Sequence, residues 1–536
     1  MKKLKLVCVA IAMAGAAPTF AGGLLTNTNQ HVAFNRMMSR EASIGIDGVY
    51  YNPAGVVFMG EGHHLAINWQ LAYQTRTINN DYKLFTNNVN NPITPRDFKG
   101  KAFAPVIPSF QYAYNKGKWS FQANFSLTGG GGKCTFDDGL GSFEKIVSET
   151  AIAACGLAGV VDQTLGNKLG QPGMEMFTSD QAFGKTGKYS FNSYMHGRQY
   201  YYGLSVGAAY KFCDNFSAFL GVRGVYALTN YYGYVENINV GNMPLYKVLD
   251  PTKENAANIE LSCDQTGVGF TPIIGVDYKT GRWNFSAKYE FKTRIRLKNK
   301  SVNQTPSIGN LPANLANQMT GILTDKFHNA GLPLEQAKQQ AENTTNAVLN
   351  DPTVGATMMG LKTQFDQKLN KAIGEYEDGK KIAGDIPAYL ALGIGYSPVD
   401  AVRVNVGFHW FDDKNATSYN NRNKELKRGT LEYNAGVEVD VNKKITLSTG
   451  WQNTNYGLSD EYMDDKSFVV GSNSAAIGGV YHINKKMDLN VAYFHTFYQH
   501  KKTSETVQLA ADKSIVYNSD YTRNNNVFAV GLDINF

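Results

Sequence analysis

Two short segments of the sequence have spacings that carry catalysis or phosphate binding in some protein classes. Gly203-Leu204-Ser205-Val206-Gly207 matches the Gly-x-Ser-x-Gly pattern, in which the serine is a nucleophile when it lies on a sharp strand-to-helix turn. However, Ser205 lies inside the alternating run Tyr200 to Phe212, which predicts an ordinary strand. Gly374 to Lys380 has phosphate-loop spacing, but Lys381 replaces the Ser or Thr that such a loop needs. The sequence also lacks zinc, haem and dinucleotide motifs, so we expect no enzyme, no cofactor and no metal site.

Alternation of apolar and polar residues with period two is the dominant pattern of the chain. In Val402 to Trp410, Val, Phe and Trp side chains alternate with Arg, Asn, Gly and His. Such a run predicts a strand with one apolar and one polar face. We count about 14 such strands, an even number as in bacterial outer-membrane barrels. Further clear examples are Trp119 to Leu127, Trp283 to Phe291, Leu390 to Tyr396, Leu431 to Val439 and Phe528 to Phe536.

The connections between these strands differ greatly in length. Short polar turns such as Asn115 to Lys118 and Lys279 to Arg282 alternate with long connections at about 132–196 and 299–381. Short turns at one end and long loops at the other are typical of a transmembrane antiparallel β-barrel. The sequence therefore predicts an all-β transmembrane barrel, and a soluble all-β protein is the alternative fold.

Composition agrees with this interpretation and excludes other classes. The chain has 53 Gly, 31 Tyr and 29 Phe in 536 residues, which is too apolar for a disordered protein. Beyond the N-terminus, no run approaches the roughly 20 apolar residues of a spanning helix. Cleavage after Ala21 would lower the net charge from +7 to about +4, which is small, and no run of Lys and Arg resembles a phosphate-binding patch, so we expect no nucleic-acid partner.

The N-terminus predicts export. Met1 to Ala21 has a lysine-rich head, a short apolar run and a small-residue cleavage site, as in a signal peptide. An exported chain can form disulfides, and four cysteines allow three pairing schemes. Proximity in sequence favours the pairs Cys134–Cys155 and Cys213–Cys263.

The long connections carry helical patterns. Phe143 to Leu165 predicts a helix or helical hairpin, and the apolar residues between Leu315 and Phe327 fall on one helical face. Further helices are predicted from Pro333 to Leu349 and from Met358 to Ile373. These helices either pack on one another as a cap or present an apolar landing surface at the barrel mouth, and the sequence leaves both possibilities open.

Residues 22–62 break the alternation and contain Asn52, Pro53 and Ala54 just before the first strand. This segment resembles the N-terminal hatch, or plug, of the FadL-type outer-membrane transporters of long-chain fatty acids and hydrocarbons, which carry an Asn-Pro-Ala motif. Ile386-Pro387-Ala388, which leads into a strand, and the terminal Phe536 also resemble that family. The resemblance implies a hatch at 22–62 and a barrel over 63–536.

The resemblance further implies passive, ligand-gated uptake of hydrophobic molecules with lateral exit into the bilayer. Asn52, Pro53 and Ala54 would take part in hatch gating, and Gly129, Gly130, Gly131 and Gly132 would form the lateral opening. A fatty acid also needs a partner for its carboxylate. Alternation places Arg223, Lys288 and Arg403 on the lumenal face, where each is a candidate partner or is paired with an acid such as Glu290.

We therefore expect a transporter of long-chain fatty acids or similar hydrophobic compounds in the bacterial outer membrane. Uptake of aromatic hydrocarbons is one alternative, and a surface adhesin or structural barrel is another; a barrel-embedded hydrolase that uses Ser205 is more distant. Expected partners are the hydrophobic ligand, outer-membrane lipid and lipopolysaccharide, and the barrel assembly machinery through the last strand ending at Phe536. We expect a monomer.

Overall fold

A single closed barrel accounts for most of the chain. The computed structural model describes residues 24–306, 310–510 and 513–536, apart from the side chains of 364–373 and 510. Within this part of the chain, fourteen antiparallel strands form the barrel, which confirms the predicted fold class. The predicted signal peptide, residues 1–21, lies outside the described residues. The strands are β1 Gly62–Tyr82, β2 Arg96–Lys116, β3 Trp119–Phe136, β4 Tyr189–Cys213, β5 Phe216–Val240, β6 Ile259–Thr280, β7 Trp283–Glu290 with Arg296–Gln304, β8 Lys381–Ala383 with Tyr389–Val399, β9 Val402–Phe411, β10 Thr430–Asn442, β11 Ile445–Asn455, β12 Ser472–Asn484, β13 Met487–Tyr498 with Lys501–Ala510, and β14 Lys513–Asn535.

The first and last strands close the barrel. β1 pairs with β14 from His64 opposite Asn535 to Tyr82 opposite Tyr517. Strands β7, β8 and β13 are each interrupted once, but a neighbouring strand pairs with both pieces of each and keeps the wall in register. The wall therefore follows chain order with every neighbour antiparallel.

The apolar face of each strand points outward, as the alternation predicts. Val404 and Val406 of β9 are 37% and 45% exposed, whereas Asn405 between them is buried in the lumen. Aromatic rings collect near the short-turn end, where Trp283 stacks on Tyr396 with ring centroids 4.3 Å apart. An outward apolar band edged by aromatic residues is the surface that a membrane barrel presents to lipid.

The connections are segregated as predicted. Turns such as 116–119 and 280–283 lie at one end, and the long connections lie at the other. The two longest run over 137–188 and 305–380, so they are shorter than the predicted ranges 132–196 and 299–381. The difference arises because the strands extend further: β4 and β5 have 25 residues each, more than twice the roughly 10 that cross a bilayer.

Helices occupy the long loops and the segment before β1. In the loops they form a cap, because their apolar faces pack on one another and on the barrel rim; Leu157, Met319 and Val348 share one buried cluster with Ile78 and Tyr231. Among the described residues, one loop helix, α3 (Gly141–Leu169), is long and apolar enough to cross a membrane, but more than half of its most apolar stretch is buried in the protein. The helices are α1 Val32–Met37, α2 Gly48–Tyr51, α3 Gly141–Leu169, α4 Tyr246–Leu249, α5 Leu311–Asn329, α6 Leu334–Leu349 and α7 Pro352–Ile373.

Residues 24–61, which we call the hatch, fill the lumen and are buried almost throughout. Helix α1 lies against the strands β11 to β13. Glycines on the inner face permit this approach: a Cβ added to Gly436 or Gly450 would overlap the carbonyl oxygen of Met37. Part of the high glycine content therefore serves close contact between the hatch backbone and the wall.

Candidate functional site: hatch, wall gap and lumenal cations

The Asn-Pro-Ala segment binds the hatch to the wall near the short-turn end. All three residues are part of the hatch segment between α2 and β1, and Ala54 is fully buried. Each residue makes a hydrogen bond to a different strand, so the segment is a fixed attachment of the hatch. Asn52 Nδ2 donates to Asp277 Oδ2 in β6 at 2.6 Å, Gln122 Nε2 in β3 donates to the Pro53 carbonyl at 2.7 Å, and Ser217 Oγ in β5 donates to the Ala54 carbonyl at 2.7 Å.

The wall contains a stretch without pairing between two adjacent strands. The β2–β3 ladder runs from Gly100 to Phe103 and resumes only at Phe110, so residues 104–109 of β2 and 126–132 of β3 are not paired with each other. We call this stretch the wall gap. Pro105 and Pro108 lie on its β2 edge and have no backbone N–H to donate, which disfavours a ladder there. On the outer side Val106 is 60% exposed.

The hatch closes the wall gap from inside. The Gln30 carbonyl accepts from Ser109 Oγ on the β2 edge at 2.7 Å, and Gln30 Nε2 donates to the Leu127 carbonyl on the β3 edge at 2.9 Å. Asn27 Nδ2 donates to the Gly130 carbonyl at 2.6 Å, and its backbone N–H donates to the Thr128 carbonyl at 2.9 Å. Hatch residues thus bind three carbonyl groups of β3 that have no partner in β2, and one side chain of β2.

The glycine run forms the β3 edge of the wall gap. Gly130 and Gly131 have φ of 69° and 132°, values that favour glycine, and the ladder with β4 is irregular on either side of Gly129 and Gly130. A Cβ on Gly129 would overlap the carbonyl oxygen of Leu25 in the hatch. These glycines therefore allow both the irregular pairing of β3 with β4 and the close approach of the hatch.

Two of the three predicted cations lie together in the lumen. Arg223 of β5 forms a bidentate pair with Glu290 of β7, at 2.6 and 2.9 Å. Lys288 Nζ lies 2.9 Å from Glu290 and donates to the Tyr50 carbonyl of the hatch at 2.6 Å. The three side chains are buried, and two cations share one carboxylate.

Arg403 lies apart from this cluster. Its Nε donates to Glu438 at 2.7 Å and its Nη1 to Asp440 at 2.7 Å, near the short turns. Glu438 also contacts Arg36 of the hatch. Each of the three predicted cations is thus paired with an acid of the wall. Such pairing was the alternative to binding the carboxylate of a ligand.

Similarity to solved structures identifies the fold. No protein-family model matches the chain, and no curated protein is significantly similar to it in sequence. The crystal structure of a Pseudomonas aeruginosa FadL homologue superposes with a TM-score of 0.57 at 14% identity, covering 96% of this chain and all of that one. A deltaS2S3 mutant of TodX, a monoaromatic hydrocarbon channel, gives 0.50 at 13% identity, covering 94% of this chain and 99% of that one.

The chain has the FadL-type outer-membrane barrel fold. Likeness at this identity extends to the architecture of this FadL-type barrel.

The predicted disulfides are wrong, because all four described cysteines are free. Cys213 is the last residue of β4 and pairs with Phe216 of β5, which in turn pairs with Tyr278 of β6. Cys263 lies 15 residues from Tyr278 on β6. At ~3.3 Å per residue this places Cys213 and Cys263 roughly 50 Å apart, at opposite ends of the barrel. Cys134 is buried in β3 and Cys155 of α3 donates to the Phe183 carbonyl at 3.4 Å.

Ser205 is an ordinary strand residue. It lies in the middle of β4, and its hydroxyl accepts from Arg223 Nε at 3.0 Å. The sharp strand-to-helix turn that the nucleophile motif requires is therefore missing at this position. Among the described residues, no group of three or more His, Cys, Asp and Glu side chains could hold a metal ion.

Two lumenal features were not anticipated from the sequence. His409 of β9 lies between Glu41 of the hatch and Glu432 of β10, 2.7 and 2.8 Å from their carboxylates. Arg76 of β1 lies opposite Arg523 of β14. Alternation alone could have placed the wall residues on the inner face, but their juxtaposition depends on the register of the strands.

A cavity of about 390 Å³ opens above the hatch at the long-loop end. Leu24 and Leu25 of the hatch form part of it together with the loops 412–429 and 456–471. Burial raises the pKa of Glu375, on its margin, to about 7, although Lys466 and Arg422 act against the shift. Burial likewise raises the pKa of Asp413 to about 6.

Proposed function

We propose that this protein carries long-chain fatty acids or similar hydrophobic compounds across the bacterial outer membrane by passive, ligand-gated diffusion. The single observation that supports this most is the wall gap between β2 and β3, which the hatch seals from inside. A ligand would enter by the cavity at the long loops, displace the hatch segment at residues 27–30 and leave sideways through the wall gap.

The hydrogen bonds of the hatch support this route. Backbone groups inside a bilayer must be satisfied, so an unpaired wall is stable only while another element supplies partners. Asn27 and Gln30 supply them on the β3 edge, and on the β2 edge the Gln30 carbonyl accepts from the Ser109 side chain. Moving this segment would therefore expose an opening that faces lipid, and its return would close the opening again.

The two ends of the hatch would have different roles. Asn52, Pro53 and Ala54 are bonded to three strands and would remain fixed, whereas the segment around Asn27 would move. The glycines at 129–132 would give β3 the bend that keeps the wall gap unpaired. In this proposal gating is local, because the attachment at the short-turn end does not have to break.

The alternatives predict different properties. Uptake of an aromatic hydrocarbon would use the same route, and the TodX structure, a monoaromatic hydrocarbon channel, keeps this possibility open. An adhesin would present its loops to a partner, yet the cap helices bury their apolar faces among themselves. We favour transport, without an enzymatic step or a cofactor.

The exterior suggests the remaining partners. The outward apolar band would contact outer-membrane lipid and lipopolysaccharide, and the protein would act as a monomer. The backbone of Phe536 is bonded to β1, because its N–H donates to the His63 carbonyl at 2.9 Å. Its side chain is 59% exposed. We propose that the assembly machinery recognises this last strand.

Site-specific photocrosslinking tests lateral exit. Cells expressing the full chain with p-benzoylphenylalanine in place of Val106, whose side chain is on the outer face of the wall gap, are given an alkyne-tagged hexadecanoate and irradiated. Leu220 of β5 is 68% exposed on an intact part of the wall and is the matched control position. Lateral exit predicts severalfold more labelling at position 106. Equal labelling would contradict lateral exit, and no dependence of cellular uptake on the protein would contradict transport.

A further inference from the structure

Basic side chains collect on the outer surface of the barrel, beside the wall gap on its long-loop side. Lys101 of β2, Lys133 of β3 and Arg198 of β4 all point outward; the two lysines are exposed and the arginine is half-buried. Lys133 is opposite Arg198 in the β3–β4 ladder and opposite Phe103 in the last rung of the β2–β3 ladder before the wall gap. We call these three cations the outer basic cluster.

The three cations are neighbours on one face of the sheet. Residues directly opposite each other on an antiparallel pair have Cβ atoms about 5 Å apart, and diagonal neighbours are ~7–8 Å apart. Lys133 is directly opposite Arg198 and diagonal to Lys101, which pairs with Thr135. Among the described residues the cluster forms no ion pair, and Arg198 Nε is buried without a hydrogen-bond partner. Because like charges in such positions destabilise a sheet, an anion bound between them would be stabilising.

Acids lie around the outer basic cluster rather than inside it. Asp97 on β2 and Asp137 just after β3 are each four residues along the chain from a lysine of the cluster, and Asp264 on β6 is two strands from the arginine. These offsets correspond to roughly 10–13 Å. Asp97 already contacts Lys99 at 3.3 Å, and Asp264 accepts from Asn230 at 2.8 Å. The cations of the cluster are therefore available to an external anion.

The cluster lies at the long-loop border of the outward apolar band. Lys101 is 11 residues from Tyr112, an outward aromatic residue of the same strand near the short turns. This is roughly 36 Å along β2, and strands tilted by about 35–45° convert it to a height of roughly 25–30 Å. The apolar band of such barrels is about 25 Å tall. The cations are therefore level with the head groups of the leaflet on the long-loop side.

A phosphorylated lipid fits this position better than a soluble anion does. Ammonium and guanidinium groups bind phosphate oxygens through charge-assisted hydrogen bonds. The exposed side chains of Phe103 and Val106 continue from the cations toward the short turns and would contact acyl chains. The long loops of outer-membrane barrels face the cell exterior, where the leaflet consists of lipopolysaccharide, and its lipid A carries phosphate groups.

We propose that Lys101, Lys133 and Arg198 bind a phosphate group of lipid A, so that the acyl chains of this lipid lie over the outer side of the wall gap. The bound phosphate would bridge β2 and β3 at the short ladder that separates the wall gap from the long loops. Since the site is on the outer surface, the proposal does not depend on transport through the lumen.

Site-specific photocrosslinking of the purified full-length protein in a non-ionic detergent tests the proposal. p-Benzoylphenylalanine replaces Phe103, which is aromatic and lies beside the cluster, and mass spectrometry measures the lipid adduct after irradiation. The probes are diphosphorylated lipid A and lipid A from which both phosphates have been removed enzymatically. At equal, subsaturating concentrations we expect at least tenfold more adduct with the phosphorylated lipid.

Removal of a cation should lower the amount of adduct. In the protein with the crosslinker at position 103, Lys101→Gln and Lys133→Gln should each reduce the adduct with phosphorylated lipid A severalfold. Lys133→Arg keeps the charge and should retain the adduct. The matched control is Lys118→Gln, because Lys118 is an exposed lysine of the same β2–β3 hairpin in the short turn at the opposite end. This variant should give as much adduct as the protein with all its lysines.

Heat-modifiable electrophoretic mobility identifies variants that retain the folded barrel. Equal adduct with the two lipids would show that acyl chains alone hold the lipid and would overturn the phosphate site. Undiminished adduct in folded Lys101→Gln and Lys133→Gln proteins would overturn the assignment to these residues. Neither result would affect the proposed transport, which the crosslinking at position 106 tests separately.

Discussion

The imidazole of His409 in β9 contacts the carboxylate of Glu41 in the hatch, with Nε2 and Oε1 2.7 Å apart. The other ring nitrogen contacts Glu432 of β10 at 2.8 Å. Because each nitrogen faces a carboxylate, both donate, and the ring bridges the wall and the hatch. All three side chains are buried, so solvent does not weaken this attachment.

Replacing His409 should loosen the hatch without opening the barrel wall. In His409→Gln, the carboxylates of Glu41 and Glu432 would share one neutral partner, and breaking a buried ion pair costs about 3–5 kcal/mol. We expect faster hydrogen exchange of the backbone amides at 37–45, measured by mass spectrometry. His482→Gln is the control, because His482 pairs with Asp488 near a short turn. Unchanged exchange in His409→Gln would show that the ring does not hold the hatch.

Removing the Asn27 side chain should make the wall gap leak. Asn27→Ala loses the bond to the Gly130 carbonyl and leaves that buried acceptor without its partner, at a cost of about 1–3 kcal/mol. We expect severalfold faster entry of a hydrophobic fluorescent probe into cells that carry the variant. Asn242→Ala, which removes a bond to the Asp180 carbonyl in a long loop, should leave entry unchanged. Equal entry in both variants would mean that Asn27 does not seal the gap.

The loops around the mouth cavity should loosen as the pH rises. Burial raises the pKa of Glu375 from 4.5 to about 7, so the folded loop favours the protonated acid. The unfolded loop binds fewer protons between these two values, and stability therefore falls as pH rises from 4.5 to 7. Burial also raises the pKa of Asp413 from 3.8 to about 6, so this group too makes the folded loop less stable as the pH rises.

Hydrogen exchange of 412–429 and 456–471, corrected for the intrinsic effect of pH, measures this loosening between pH 5 and 8. In Glu375→Gln the side chain is neutral at all pH values, so hydrogen exchange of these loops should depend less on pH. The exposed Glu377, which pairs with Lys380, supplies the control Glu377→Gln. A response as strong in Glu375→Gln as in the unaltered protein would contradict the role of Glu375.

Local patterns were sufficient for the strands and the loop helices. Val402 to Trp410 alternates because one face meets lipid and the other the lumen, and the structure has β9 there. Phe143 to Leu165 lies within the single helix α3. Both depend on residues a few positions apart, so their periodicity is visible in the sequence alone.

Features that depend on register could not be predicted. The four glycines marked one edge of the wall gap, but the other edge contains Pro105 and Pro108, whose position opposite them follows from the β2–β3 pairing. Cys213 and Cys263 are neighbours in sequence order, yet long antiparallel strands carry them to opposite ends. Arg76 and Arg523 meet only because the first strand closes on the last.

The pairing of β1 with β14 closes the barrel around the hatch. The hatch precedes β1, and the seam at His63 and Phe536 joins the earliest strand to the one synthesised last. The lumen cannot be sealed until the whole wall exists, by which time the hatch is already tethered to one side of the seam. The hatch must therefore lie between the strands before β1 pairs with β14, because the closed wall surrounds it.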